Sequence, residues 1–168
     1  ADGTFLADTL ERIGIALGLS EGRRRSLPAS SFMISADNAH ALHPNFPEKA
    51  DPVNRPLMNG GIVIKYNASQ KYTTDSVSAA VFKEVCRRAG IPWQEFTNRS
   101  DMPGGSTLGN ISNSHVSLNT VDIGLAQLAM HSPYETAGVR DPGYLAAAMR
   151  EFFALSVSCG GRGAYELR

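Results

Sequence analysis

The sequence is short of features that would settle its class at once. Its 168 residues hold two cysteines, Cys86 and Cys159, and neither stands in a metal-type or redox-type spacing. That usage fits a reducing, cytoplasmic compartment. There is no excess of charge. Sixteen Lys plus Arg balance sixteen Asp plus Glu, which gives no support for a nucleic-acid or membrane-surface partner. The one basic run, Arg23-Arg24-Arg25, reads as a solvated helix face. No apolar run reaches membrane-spanning length. The opening Ala1-Asp2-Gly3-Thr4 has neither a basic nor an apolar leader segment, so it is no signal peptide. It lacks a starting Met and reads as an interior cut, although removal of Met leaves the same ending. No internal repeat is present.

What remains is ordinary for one compact soluble domain, with 42% hydrophobic and 19% charged residues. Leu6, Leu10, Ile13, Ala16 and Leu17 recur at helical spacing, and Gly18 and Gly22 punctuate the end of that stretch. Ser31 to Ser35 and Ile62 to Tyr66 are short apolar runs that read as buried strands. Between them Asp37 to Asn59 carries Pro44, Pro47, Pro52 and Pro56 and predicts a long irregular loop. Asp75 caps a helix that runs through Val77, Val81 and Val85 to Gly90. Trp93 to Phe96 and Val121 to Gly124 predict strands, with a glycine-rich loop from Met102 to Gly109. Asp141-Pro142 opens a last helix whose inner face is Tyr144, Leu145, Ala148, Phe152 and Phe153. Residues 1–155 form the domain. Residues 156–168, with Cys159-Gly160-Gly161-Arg162-Gly163, read as a flexible or vector-derived tail. Strands alternating with helices predict an α/β sheet, whose sites collect beyond the C-terminal ends of its strands.

The polar segments after the strands are therefore where chemistry belongs. Asp37-Asn38-Ala39-His40-Ala41-Leu42-His43 follows a strand with one carboxylate and two imidazoles, the ligand types of zinc and similar divalent metals. The bland alternative has Asp37 capping the loop and the histidines bonding locally. His131 follows a later strand. Taken alone it is a core histidine; paired with Asp37 it becomes a second ligand from a second strand end. Glu135 either orients His131 or serves as a helix N-terminal carboxylate. The loop Asp101 to Gly109 lacks the Gly-Lys-Ser/Thr ending of a phosphate loop. Its backbone can bind a peptide carboxylate or carbonyl, or its glycines simply need positive φ. Lys65 ends an apolar run. It either reaches out to solvent or turns into a pocket and selects an anionic group.

Ser35-Ala36-Asp37-Asn38-Ala39-His40-Ala41, His43-Pro44-Asn45, Lys65, Asn98 through Thr107, and Gln127-Leu128-Ala129-Met130-His131-Ser132 occur in an order that resembles the aspartyl aminopeptidase family from Phe5 to Leu155. The resemblance implies a three-layer α/β/α zinc-peptidase-like fold, present only in part, as the C-terminal half of the catalytic domain. It implies a metallo-aminopeptidase that uses water activated by two zinc ions, with manganese or cobalt as alternatives, to release N-terminal and preferentially acidic residues from peptides. Homo-oligomers, dodecamers in the family, are implied as well. Asp37 and His131 match metal ligands. His40, Lys65, Tyr72, Gly104, Gly105 and Ser106 match substrate-binding positions. The general base and the remaining ligands belong to the family's upstream half, so the chain alone is expected to be inactive. A non-catalytic structural or assembly fragment is the alternative.

Overall fold

A computed structural model of the chain describes residues 2–160 and 164–168. Two helices come first, α1 (Phe5–Ala16) and α2 (Glu21–Ala29). Then follow β1 (Phe32–Ala36), β2 (Ala39–His40), a 3-10 turn at Pro47–Lys49, and β3 (Ile62–Tyr66). Next come α3 (Ser76–Ala89), β4 (Trp93–Thr97), α4 (Leu108–His115), β5 (Asn119–Gly124) and β6 (Ala126–Leu128). The chain continues through β7 (Thr136–Ala137) and α5 (Asp141–Ala154) to a hairpin of β8 (Val157–Cys159) and β9 (Tyr165–Leu167).

The main sheet runs in the order β1-β5-β3-β4. β1 is parallel to β5 and β3 to β4, while β3 and β5 are antiparallel. Ile62, Val63, Ile64 and Lys65 are all buried. That is the pattern of a central strand covered on both sides. One face is closed by α3 and α5. There Ile62, Ile64, Val121 and Ile123 pack with Phe82, Val85, Cys86 and Ala148. The capping box at Asp75 and Ser78 starts α3, and left-handed Gly90 stops it, as the sequence predicts. On the other face α4 lies against β1 and β5. A Cβ at Gly109 would come within 2.8 Å of both Ser35 Oγ and Asp122 Oδ1, so glycine is what lets the helix approach.

The structure departs from the sequence reading in several places. The helix α4 falls in a segment rich in Gly, Asn and Ser, poor helix formers whose position is set by packing on the sheet. Within the expected loop Asp37–Asn59 the short β2 forms because β6 offers it a parallel partner. The helical period of α1 is right, but Ile13 and Leu17 are exposed, and so is Phe153 of α5. Beside β1, at the sheet edge, an apolar groove of about 470 Å³ is walled by Leu6, Leu10, Leu27, Met33, Val116 and Phe152. The loose tail is corrected in part. β8 and β9 pair antiparallel, Tyr165 stacks edge-on against Phe32, and Leu167 packs on the main core. Residues 161–163 of that tail lie outside the described residues.

Candidate metal centre and substrate cleft

Asp37 sits immediately past β1, where its N–H donates to the Ile123 carbonyl (3.0 Å). The close pass of the chain there depends on Gly124, since a Cβ at that position would lie 2.0 Å from the Asp37 carbonyl oxygen. From Asp37 the backbone steps into the second, smaller sheet. Ala39 and His40 of β2 pair in parallel with Ala126 and Gln127 of β6. The Asn38 amide also donates to the Gln127 side chain. This pairing carries the Asp37–His40 segment alongside the segment that ends in His131. His131 has φ of 66°, and Ala129 has φ of 54°, left-handed values that turn the chain sharply after β6. The His131 N–H donates to Glu135 Oε1 at 2.7 Å. Glu135 thus holds His131 through its backbone rather than its ring, and it does not stand at a helix N-terminus.

Lys65 is 2% exposed and does not reach solvent. Its ammonium donates to the Asp37 carbonyl (2.9 Å) and lies 5.2 Å from the centre of the Tyr72 ring. Burial pulls the Lys65 pKa down, and the carboxylates of Asp122 and then Asp37 push it back up. Tyr72 is buried against Phe96, ring centres 6.2 Å apart. Burial raises its phenol, opposed by the Asn98 side chain. The His40 imidazole is held below its usual value by desolvation first, then by His131 and then Lys65. These couplings place His40, His131, Lys65 and Asp37 in one electrostatic neighbourhood.

A cleft of about 380 Å³ opens beside this group. His40, Tyr72, Gly104 and Gly105 are on its walls, together with Phe46 and Met102. Lys65 lies beneath Tyr72 rather than on the wall, and Ser106, exposed, accepts from the Asn110 amide instead of lining the cleft. The loop glycines Gly104, Gly105 and Gly109 do not take positive φ. That corrects the tight-turn alternative: Gly104 instead packs on Asn98 and Gly109 on Ser35 and Asp122. Sequence reading missed Asp122, although a carboxylate inside the apolar run Val121-Asp122-Ile123 is itself a signal.

Carboxylate and imidazole donors suit zinc. Among the described residues, however, no group of three or more His, Cys, Asp or Glu side chains is placed to hold a metal ion. Asp37 and His131 alone would be two donors, fewer than the tetrahedral complement zinc prefers.

Helices on both faces of a mixed sheet, with a largely apolar cleft past the strand ends, define a three-layer α/β domain. The chain belongs to the aminopeptidase I zinc metalloprotease family, M18, whose model matches residues 1–153. It is 52% identical over 155 residues to a probable M18 family aminopeptidase 2 of Clostridium acetobutylicum, covering 92% of this chain and 36% of the relative. A probable aspartyl aminopeptidase of Ricinus communis is 42% identical over 153 residues, covering 91% and 31%. Among solved structures, yeast aminopeptidase 1 superposes with a TM-score of 0.77 at 30% identity, covering 91% of this chain and 33% of that one. Ape4 in its complex with Nbr1 gives 0.84 at 38%, covering 90% and 29%. The chain thus spans about a third of the length of the curated relatives it matches.

Proposed function

We propose that residues 1–155 supply the C-terminal part of the catalytic domain of a zinc aminopeptidase that releases N-terminal, preferentially acidic, residues from peptides. The observation that supports this most strongly is the β2–β6 pairing. It sets the Asp37–His40 segment beside the segment that leads to His131, and His131 in turn acts on the His40 imidazole, in a chain whose family is a zinc metalloprotease.

In this reading Asp37 and His131 hold metal. Zinc, when bound, supplies Lewis acidity and an activated water near neutral pH. Two ions per complete site are proposed, with manganese or cobalt able to substitute. Lys65 uses one ammonium donor on the Asp37 carbonyl. Buried beneath Tyr72, it contributes its positive charge to the selection of an acidic residue across that ring rather than by direct contact on the cleft wall. His40, Gly104 and Gly105 line the path of the peptide, and Ser106 stands at its outer margin. Tyr72 faces the reacting end. The general base is contributed from outside this chain. Assembly into homo-oligomers follows the dodecamer described for mApe1 of Saccharomyces. Cytoplasmic placement accords with two free cysteines, and no helix among the described residues is long and apolar enough to cross a membrane.

The test is single substitution in the complete enzyme. Asp37→Ala and His131→Ala should each lower zinc-dependent release of an N-terminal Asp by about 100-fold or more, because loss of groups that only support a ligand already costs 10–100-fold. Retention of wild-type turnover by either variant contradicts the assignment.

A further inference from the structure

Asp122 is a buried carboxylate, 0% exposed, on the central strand β5. Among the described residues no salt bridge holds it. Its Oδ2 accepts from the Thr73 N–H (2.6 Å) and the Thr73 hydroxyl (2.8 Å). Its own N–H donates to Thr74 Oγ1 (2.9 Å), and the Thr74 hydroxyl donates back to its carbonyl (3.3 Å). The Asp122 carboxylate thus holds Thr73 by two hydrogen bonds, while two more, to its backbone, hold Thr74 against β5. Burying a carboxylate in an apolar strand costs several kcal/mol unless such bonds compensate it, and its Oδ1 has no partner among the described residues. The segment it pins is the one that carries Tyr72 into the cleft. Tyr72 covers the Lys65 ammonium, and that ammonium holds the carbonyl of Asp37. Continuing the β3–β5 register by one residue sets Lys65 opposite Asp122, with Ser35 on its other side.

Resting on the aminopeptidase reading of the cleft, we infer that Asp122 is a positioning residue, whose carboxylate sets Tyr72 at the reacting end of the substrate by clamping Thr73. It touches no substrate itself. The clamp needs an acceptor at the Oδ2 position rather than a negative charge. Asparagine can supply that oxygen, and its amide then faces Ser35, whose hydroxyl has no partner among the described side chains.

The test measures kcat and KM of the complete enzyme for matched N-terminal Asp and N-terminal Leu substrates, with melting temperature and assembly size recorded for each variant. Asp122→Ala should lower kcat by roughly 10–100-fold while KM moves by less than about 3-fold. Asp122→Asn should recover most of that loss. In a Tyr72→Phe background the Asp122→Ala penalty should shrink, because both changes disturb one contact. Should Asp122→Ala fail to fold, Thr73→Val and Thr73→Ser decide. Valine, which loses the hydroxyl bond, should lower kcat by about 3–10-fold, and serine should recover it. A folded, assembled Asp122→Ala enzyme with wild-type kcat overturns the inference, as does an undiminished penalty in the Tyr72→Phe background. If wild-type enzyme with zinc releases neither substrate, the function proposed above fails. If wild type is active and Asp122→Ala matches it, only the positioning role fails.

Discussion

On the α3/α5 face of the main sheet, Ile62, Ile64, Val121 and Ile123 meet Phe82, Val85 and Ala148 in a closed apolar layer. On the α4 face the same strands present Ser35, Asp122 and Lys65 in a row, buried but polar. The first face is held by area removed from water, which is non-directional and tolerant of shape. The second is held by hydrogen bonds that specify where individual loops go. Strand alternation separates the two within single residues of each other: Ile64 belongs to one, Lys65 to the other. A domain arranged this way can lose stability and lose function through different side chains.

The largest expected effect strikes the closed face. Phe82 is 0% exposed in the middle of that layer, and Phe82→Ala should destabilise the chain by about 3–5 kcal/mol in urea unfolding. A cost below about 1 kcal/mol would mean that the layer is not packed as described. On the polar face, Lys65→Met keeps side-chain volume while removing the ammonium. In the complete enzyme it should reduce kcat/KM for an N-terminal Asp substrate roughly 10-fold more than for an N-terminal Leu substrate. Equal losses on both would remove Lys65 from the selection of acidic residues and leave it only the Asp37 carbonyl.

The smallest effect belongs to the solvent side of α3. There the guanidinium of Arg87 and then that of Arg88 hold Glu84 down at about 2. Its folded pKa is depressed, so whatever stability it adds is present above the ordinary glutamate value and is lost as pH falls through about 2. The Tm lowering by Glu84→Gln should be slight at neutral pH beside that of Phe82→Ala, smaller still in high salt, and gone at the acid end. A large, salt-insensitive loss would place Glu84 in the core account instead.

The closed face was legible in the sequence because its signals are local. Asp75 and Gly90 bracket α3, and the apolar runs at Ile62 and Val121 mark the strands it covers. Phe153 was misassigned because helical spacing gives a face its period without showing where cover ends. The candidate site was legible only as residue types after strands, Asp37 and His131 among them, whose metal role is a proposal. Its arrangement was not. The β2–β6 pairing, the left-handed turn at Ala129 and His131, and the clamp from Asp122 to Thr73 are contacts between distant stretches, and no local pattern announces them. α4 stayed hidden for the same reason, since Gly109 and its Asn and Ser neighbours are helical only against β1 and β5.

We have proposed that this chain holds part of a zinc aminopeptidase site and not enough of it to act. This is tested most directly by incubating the purified 168-residue chain with zinc or manganese and an aspartyl chromogenic substrate, beside the complete enzyme, with and without chelator. The account predicts chelator-sensitive turnover from the complete enzyme and none above background from the chain alone. Chelator-sensitive turnover by the isolated chain at a rate comparable to the complete enzyme would contradict it.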